Sequence, residues 1–178
     1  MQKDEEGFEY PVVDGDRCIE CGLCERVCPV LSGTAAEDTG SESFDTRAFG
    51  GWHSDDEIRY DSSSGGVFTL LAEHIINEGG IVFGCALDDG MRAVHIGVEK
   101  AEDLYRLRGS KYVQSDIGDT YIRVKDAVSS GRKVLFVGTP CQAAGLYSYM
   151  GKRTYDRLYI VDFICHGVPS PLVFDDYI

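Results

Sequence analysis

Positive charge is scarce in this chain: 17 Lys and Arg stand against 30 Asp and Glu, a formal net charge of −13 over 178 residues. A surface of that sign repels a phosphate backbone, which removes the attraction on which ordinary nucleic-acid binding rests and argues against DNA and RNA as partners. Long apolar runs are also absent. No stretch approaches the roughly eighteen residues of a membrane span, and no basic N-terminal stretch leads into an apolar h-region. The 7 cysteines are too few and too unevenly spaced for a secreted disulfide scaffold. The expectation is therefore a soluble, cytoplasmic protein in a reducing compartment. Neither a GxGxxG nucleotide fingerprint nor a Walker A run occurs, so no standard glycine-rich phosphate loop is in view.

What the chain does hold is concentrated near its start. Cys18, Cys21, Cys24 and Cys28 lie in the run CIECGLCERVCP, closed by Pro29. Four thiolates at these offsets match the ligand pattern of a ferredoxin-type 4Fe-4S cluster, which makes electron transfer the first reading. A tetrahedral zinc ion also accepts four sulfurs, but zinc sites place two CxxC-like pairs on separated knuckles, so zinc and free thiols remain as the alternatives. In two-cluster ferredoxins the fourth Cys of a run ligates the other cluster. On that pattern Cys18, Cys21 and Cys24 hold three corners of one cube and Cys28 reaches toward a second. No cysteine precedes Cys18, and DEEGFEYPVVDGDR reads as a connection between two motifs, so the chain is expected to begin inside a larger module.

With 43% apolar residues the chain can build a core of ordinary size plus a small appendage. Residues 1–31 form the ferredoxin-type segment, whose fold depends on its metal. Residues 32–62, rich in Ser, Thr, Gly, Asp and Glu without a steady period, read as a linker or long loop. From residue 63 to 178 an α/β (α+β) rhythm with a mixed sheet follows. A Ser/Gly-capped helix is expected over about Gly66 to Asn77, stopped by Gly79-Gly80. The strands IVFGCAL and AVHIGV form a hairpin around DDGM. AEDLYRLR is a short helix, and GSKYVQS a loop with a short extended piece. A helix from about Ile117 to Ser130 leads to the strand KVLFVG, the helix of TPCQAAGLYSYMG, the strand LYIVDFIC, the loop HGVPSP and a helix start in PLVFDDYI. The last helix reaches the end of the sequence without a cap, so an incomplete C-terminal end is expected.

Ligands of open α/β sheets gather beyond the carboxyl ends of the strands, and two such exits carry a cysteine. Cys141 falls just inside a helix N-terminus, where backbone N–H groups stabilise a thiolate used as nucleophile or metal ligand. The plainer reading is a small buried residue at a tight turn. Cys165, beside His166, adjoins a Gly-Val-Pro loop. Ser63, Ser64, Gly65 and Gly66, with Ser110, Lys111 and Tyr112, offer hydroxyls, helix-start amides and one cation suited to a nucleotide's phosphates or ribityl chain. Ser-rich caps without any ligand share that pattern. Cys85 reads as core, His95 as solvent-facing, His53 and His74 as surface residues, and Phe136, Val137, Tyr159 and Val161 as sheet interior.

Taken in order, EGFEYP, CIECGLCERVCP, SSSGGVFTLLAEHII, GSKYVQS, VLFVGTPCQAAGL and DFICHGVPSP resemble the coenzyme F420 hydrogenase/dehydrogenase beta-subunit family across nearly the whole chain. The resemblance implies an incomplete α/β flavin-binding domain after the ferredoxin-like segment. It also implies an oxidoreductase component that passes electrons between 4Fe-4S clusters and FAD, and in some relatives on to a deazaflavin, coenzyme F420. A flavin exchanges hydride on one side and single electrons on the other, which suits that task. Ser63, Ser64, Gly65, Gly66, Ser110, Lys111 and Tyr112 become flavin-pocket residues by this resemblance. Cys141 and Cys165 become ligands of a further cluster, completed by cysteines of the family's later portion. The partners are a redox protein or a larger complex. Family members carry a first CxxCxxCxxxCP run before EGFxYP and a long half after CHGVPSP, so the resemblance also implies that this chain is a fragment. The competing functions are a non-catalytic ferredoxin-like electron-relay or binding module and a zinc-stabilised structural protein.

Overall fold

The computed structural model describes residues 1–28, 31 and 47–178; Pro29, Val30 and 32–46, which include much of the expected linker, lie outside the described residues. The run IVFGCAL has no charged side chain, and it forms β3 (Ile81–Leu87), almost wholly buried in the middle of the sheet. One edge of β3 pairs antiparallel with β4 (Ala93–Val98), from Val82 opposite Val98 to Leu87 opposite Ala93. Asp88 fixes the turn between them by accepting the N–H groups of Gly90 and Arg92, each at 2.9 Å. The other edge of β3 runs parallel to β5 (Val134–Gly138), which runs parallel to β6 (Leu158–Asp162). The result is a four-stranded mixed sheet in the order β4-β3-β5-β6, as expected.

Helices cover both faces, because a sheet built from such strands is apolar on each side. On one face, α3 (Val67–Asn77) and a 3-10 turn (Ala101–Arg106) bring Ala72, Ile75, Leu104 and Leu107 onto Val82, Ala86 and Leu135. On the other, α4 (Thr120–Ser129) and α5 (Pro140–Tyr149) bring Val124, Ala127, Leu146 and Met150 onto Ile81, Phe83, Val134 and Phe136. Each fully buried side chain of this size contributes about 1.5–3 kcal/mol, so these two clusters hold the domain together.

The helix α3 ends in a Schellman motif: Gly79 N–H donates to Ile76 O at 2.8 Å and Gly80 N–H to Ile75 O at 2.9 Å. The same pair of bonds closes α4 at Gly131 and Arg132 and α5 at Gly151 and Lys152. Glycines therefore stop these helices where the sequence places them. The start of α3 falls at Gly66 as expected, but without a serine cap. Gly66, at φ 76°, is its N-cap and no side chain caps it; Ser62 instead donates its hydroxyl backward to Ile58 O at 2.6 Å.

Other departures have local causes. A short helix α2 (Asp56–Tyr60) stands inside the expected linker, because Asp55 accepts the N–H groups of Glu57 and Ile58. The helix α4 starts three residues later than expected, since Asp116 Oδ1 takes the N–H of Gly118 at 2.8 Å and Gly118 sits at φ 50°. β6 stops at Asp162, opposite Gly138, the last residue of β5; Phe163 and Ile164 continue beyond it without a partner strand and stand exposed. Tyr159, expected inside the sheet, is 44% exposed on this edge strand.

At the N-terminus, β1 (Gln2–Lys3) and β2 (Glu9–Tyr10) form a two-stranded ribbon around a turn at Asp4, and α1 (Leu23–Val27) follows the first cysteines. Residues of the EGFEYP run clip onto α6 (Pro171–Tyr177): Ser170 Oγ donates to Glu6 O at 2.7 Å, and Gly7 is buried against Pro171 and Leu172. The helix α1 packs against α5. The iron–sulfur-type segment therefore touches the domain at α5 and α6, the helices that follow β5 and β6. Among the described residues no helix is long and apolar enough to cross a membrane.

Candidate functional site

Three parallel strands, β3, β5 and β6, send their carboxyl ends to the same edge of the sheet. Beyond Phe83 opposite Phe136 the β3–β5 ladder ends, and the side chain of His95 enters the gap. Its ring stacks on Phe136 with centroids 5.5 Å apart and an interplanar angle of 19°. Nε2 lies 3.2 Å from Val137 O, which can only accept, so Nε2 carries the proton and Nδ1 accepts from Ser115 Oγ at 2.9 Å. Ser115 Oγ in turn accepts from Gln142 Nε2 at 2.9 Å. Gln142 Oε1 takes the N–H of Thr139 at 3.0 Å, closing a capping box at the start of α5. A continuous hydrogen-bonded row thus runs from β4 to the helix turn that carries Cys141.

Burial holds the His95 imidazole below its ordinary value, opposed by the Val137 carbonyl and Asp116, so the neutral ring is the resident form. Burial also pushes the Tyr121 phenol up to about 12, reinforced by Cys141, while its hydroxyl donates to Gln142 O at 2.8 Å. His95 is 7% exposed, contrary to the expectation of a solvent-facing residue. Val94, Ile96 and Val98 are the apolar parity of AVHIGV, so alternation turns His95 to the other face; that face is covered as well, with the Phe136 ring against the imidazole. His53, expected at the surface, is equally buried and lies 3.5 Å from Glu73.

Cys141 is the second residue of α5, exposed, with its sulfur 3.1 Å from Thr139 Oγ1. The reading of Cys141 as a buried turn residue is thereby removed. Cys165 is exposed in the loop after β6, its sulfur 3.9 Å from Gly167 O. The two cysteines occupy the exits of adjacent strands, and both thiols are free. Cys85 is half-buried between β3's neighbours; burial raises its thiol above the ordinary range, countered by Lys111 and Ser115.

The two segments singled out for a nucleotide cofactor meet. Ser63 Oγ accepts the backbone N–H of Ser110 at 3.0 Å and its hydroxyl at 3.4 Å, across 47 residues of chain. Lys111 Nζ donates to the carbonyls of Arg108 at 2.7 Å and Arg106 at 3.2 Å, and burial lowers its ammonium from the usual lysine range. Ser64 is exposed and Tyr112 is 80% exposed. Gly65 and Gly66 have a packing reason of their own. A Cβ on Gly65 would lie 3.1 Å from Gly51 O, and one on Gly66 3.0 Å from His53 Cβ. Exposed hydroxyls and an uncapped helix start at the Ser63–Ser110 junction are a donor set that fits a flavin's polar chain, whereas the ammonium of the neighbouring Lys111 turns to the Arg106 and Arg108 carbonyls.

In the iron–sulfur-type segment, Cys18, Cys21 and Cys24 are exposed and Cys28 is half-buried. Glu20, at φ 53°, aims its N–H at Cys18 Sγ at 3.4 Å, and Gly22 at φ 64° opens α1, which carries Cys24 and ends at Cys28. Among the described residues no three His, Cys, Asp or Glu side chains already converge as a metal site. The segment still fits a cluster by its donors: four thiols on one loop and helix turn, with a backbone N–H directed at one sulfur.

An α/β domain with this cysteine-bearing segment held against α5 and α6 is the frame of an iron–sulfur oxidoreductase-like protein. The comparisons narrow the class. Residues 48–120 match the model of the N-terminal part of the coenzyme F420 hydrogenase/dehydrogenase beta subunit, residues 131–178 that of its C terminus, and residues 11–31 a 4Fe-4S binding domain. The chain is an F420 hydrogenase/dehydrogenase beta-subunit-like iron–sulfur protein.

Among curated proteins it is similar to a subunit of the F(420)H(2) dehydrogenase of Methanosarcina mazei, 28% identical over 141 residues, covering 78% of this chain and 37% of that protein. It is also similar to the coenzyme F420-dependent sulfite reductase of Methanocaldococcus jannaschii, 30% identical over 138 residues, covering 74% of this chain and 20% of that protein. Its fold is shared with a chain of the F420-reducing [NiFe] hydrogenase complex of Methanosarcina barkeri, at a TM-score of 0.56 and 20% identity, over 70% of this chain and 46% of that one. The chain thus spans less than half the length of each of these three relatives.

Proposed function

We propose that this chain is an electron-transferring component in which a 4Fe-4S cluster on Cys18, Cys21, Cys24 and Cys28 exchanges electrons with FAD seated at the Ser63–Ser110 junction. The observation that carries the reading is that junction. Two flavin-type segments, far apart in sequence, are joined by a hydrogen bond at the domain that also receives the cysteine-bearing segment. On this reading 1–31 is the cluster segment and 63–178 the flavin-binding part, with 32–62 connecting them.

When bound, FAD would supply the step between hydride and single-electron chemistry. Ser63, Ser64, Ser110 and the amides at the start of α3 would hold its polar chain, Lys111 would place positive charge beside it, and Tyr112 would offer a ring at the rim. Gly65 and Gly66 keep the 51–53 strap close enough to shape this wall. Cys141 and Cys165 would contribute to a further cluster at the strand exits, where Thr139 and Gln142 fix the turn bearing Cys141. The acceptor would be a deazaflavin such as coenzyme F420 or another small redox partner, within a larger complex. The two F420-associated curated relatives support that direction.

Anaerobic purification with iron, sulfide and flavin quantified per chain tests the proposal. About four irons with stoichiometric FAD is the expected result. Iron without flavin would reduce the chain to an electron relay, and colourless zinc-loaded protein would leave it a structural module.

A further inference from the structure

A cleft of about 420 Å³ opens between the β3–β4 turn and the strap that follows the 3-10 turn. That is the size range of a small-ligand site. Its walls carry Arg106, Arg108 and Lys111 on one side, Asp88 and Asp89 on the other, and Tyr105. The chain packs three cations into six residues here and again at Lys152, Arg153 and Arg157, but only the first group lines this cleft. Arg59, Arg92, Lys100, Arg132 and Lys133 each pair with a carboxylate, while others such as Lys152 and Arg153 stand exposed in solvent. Among the described residues, Arg106, Arg108 and Lys111 have no carboxylate within 4.0 Å.

The cations are also held in place. Arg108 Nε donates to the fully buried Thr69 at 3.2 Å, which leaves its two terminal nitrogens for a ligand. Lys111 Nζ is committed to the carbonyls of Arg106 and Arg108 and so fixes the strap that presents both guanidinium groups. On the opposite wall Asp88 is neutralised by Arg92 at 2.7 Å. Planar guanidinium forks match phosphate oxygens two at a time, and a cationic cleft in a strongly acidic molecule concentrates an anion that the rest of the surface repels. Tyr105, 66% exposed at the same cleft, offers a ring face.

We propose that this cleft is the phosphate subsite for a nucleotide ligand, with Arg106 and Arg108 binding a diphosphate and Tyr105 stacking on the attached base. The diphosphate has two sources: the FAD of the reading above, on which that arm rests, or a separate dissociable nucleotide. Arg108 directly precedes the GSKYVQS run and Arg106 lies two residues further back, yet neither is assigned a role from the sequence alone.

The test measures the affinity of the full anaerobically reconstituted chain for ADP, inorganic diphosphate, FAD and riboflavin, at low and high salt. Wild type is compared with Arg106→Gln and with Arg153→Gln, an exposed arginine away from the cleft. The expected result is at least a tenfold loss of ADP affinity and a shallower salt dependence in Arg106→Gln only, with riboflavin unaffected. A parallel loss for FAD identifies the flavin's own diphosphate as the occupant; unchanged FAD binding identifies a separate nucleotide. If wild type binds neither FAD nor riboflavin but binds ADP through Arg106, the flavin reading fails and the cleft stands. Absence of ADP and diphosphate binding, or equal behaviour of Arg106→Gln and Arg153→Gln, overturns the proposal.

Discussion

Ser63 Oγ accepts the backbone N–H of Ser110 at 3.0 Å, tying the approach to α3 to the strap that carries Lys111. The bond is exposed, so it contributes little to folding and can act mainly by positioning. Ser63→Ala is expected to leave the unfolding midpoint within about 0.5 kcal/mol of wild type, as for a surface change. Its FAD affinity should fall by about threefold to tenfold, the equivalent of one net hydrogen bond of about 1 kcal/mol. Flavin fluorescence titration beside urea denaturation checks both halves.

His95 makes stability depend on pH. Because burial lowers its folded value, the unfolded chain takes up the proton first as pH falls through its ordinary value of about 6.5. Stability contributed by the neutral ring is full above that pH and is lost as pH falls toward the lower folded value. Protonation also disrupts the row, since Nδ1 can then no longer accept from Ser115. Denaturant midpoints measured across this window should drop for wild type and change less for His95→Gln.

Two adjacent glycines separate backbone strain from packing. A Cβ on Gly80 would lie 2.5 Å from Ile75 Cγ2 and 2.7 Å from the carbonyl oxygens of Ile75 and Lys133, whereas one on Gly79, at φ 75°, meets nothing within 4 Å. Gly79→Ala should cost about 1–2 kcal/mol, the left-handed penalty alone. Gly80→Ala forces main chain apart and should cost more, about 3 kcal/mol or above, at the upper end for overpacking. Equal midpoints for the two variants would contradict this assignment.

The cysteines should divide by place. Cys21→Ala, on the exposed loop before α1, is expected to abolish the cluster and most of the iron. Cys85→Ala, half-buried in β3, should keep the iron content of wild type and change stability only through packing. Iron and sulfide assays on both variants distinguish ligand thiols from a core thiol.

Much of the architecture was legible because its signals are local. IVFGCAL is uniformly apolar, Gly79-Gly80, Gly131 and Gly151 stop their helices, and TP opens α5, so β3, α3 and α5 fall close to where their residues place them. The four-cysteine spacing and the ordered motifs likewise carried the family. What escaped depends on distant partners. His95 is inward because the β3–β5 ladder ends at Phe83 and leaves a gap that only the folded sheet defines. Ser115 and Gln142 lie in the GSKYVQS and VLFVGTPCQAAGL runs, but nothing in the sequence joins them to each other or to His95, and only the fold brings the three together. Tyr159 reads as core by residue type, yet β6 is the edge of the described sheet.

The most direct measurement of the central claim is rapid-mixing reduction of the anaerobically reconstituted chain by a one-electron donor. It follows cluster and flavin absorbance together, in wild type and in Cys21→Ala loaded with the same FAD. If the chain passes electrons from cluster to flavin, wild-type flavin bleaches in step with cluster turnover, and flavin reduction in Cys21→Ala slows by at least tenfold. Equal flavin reduction rates with and without the cluster would contradict the account.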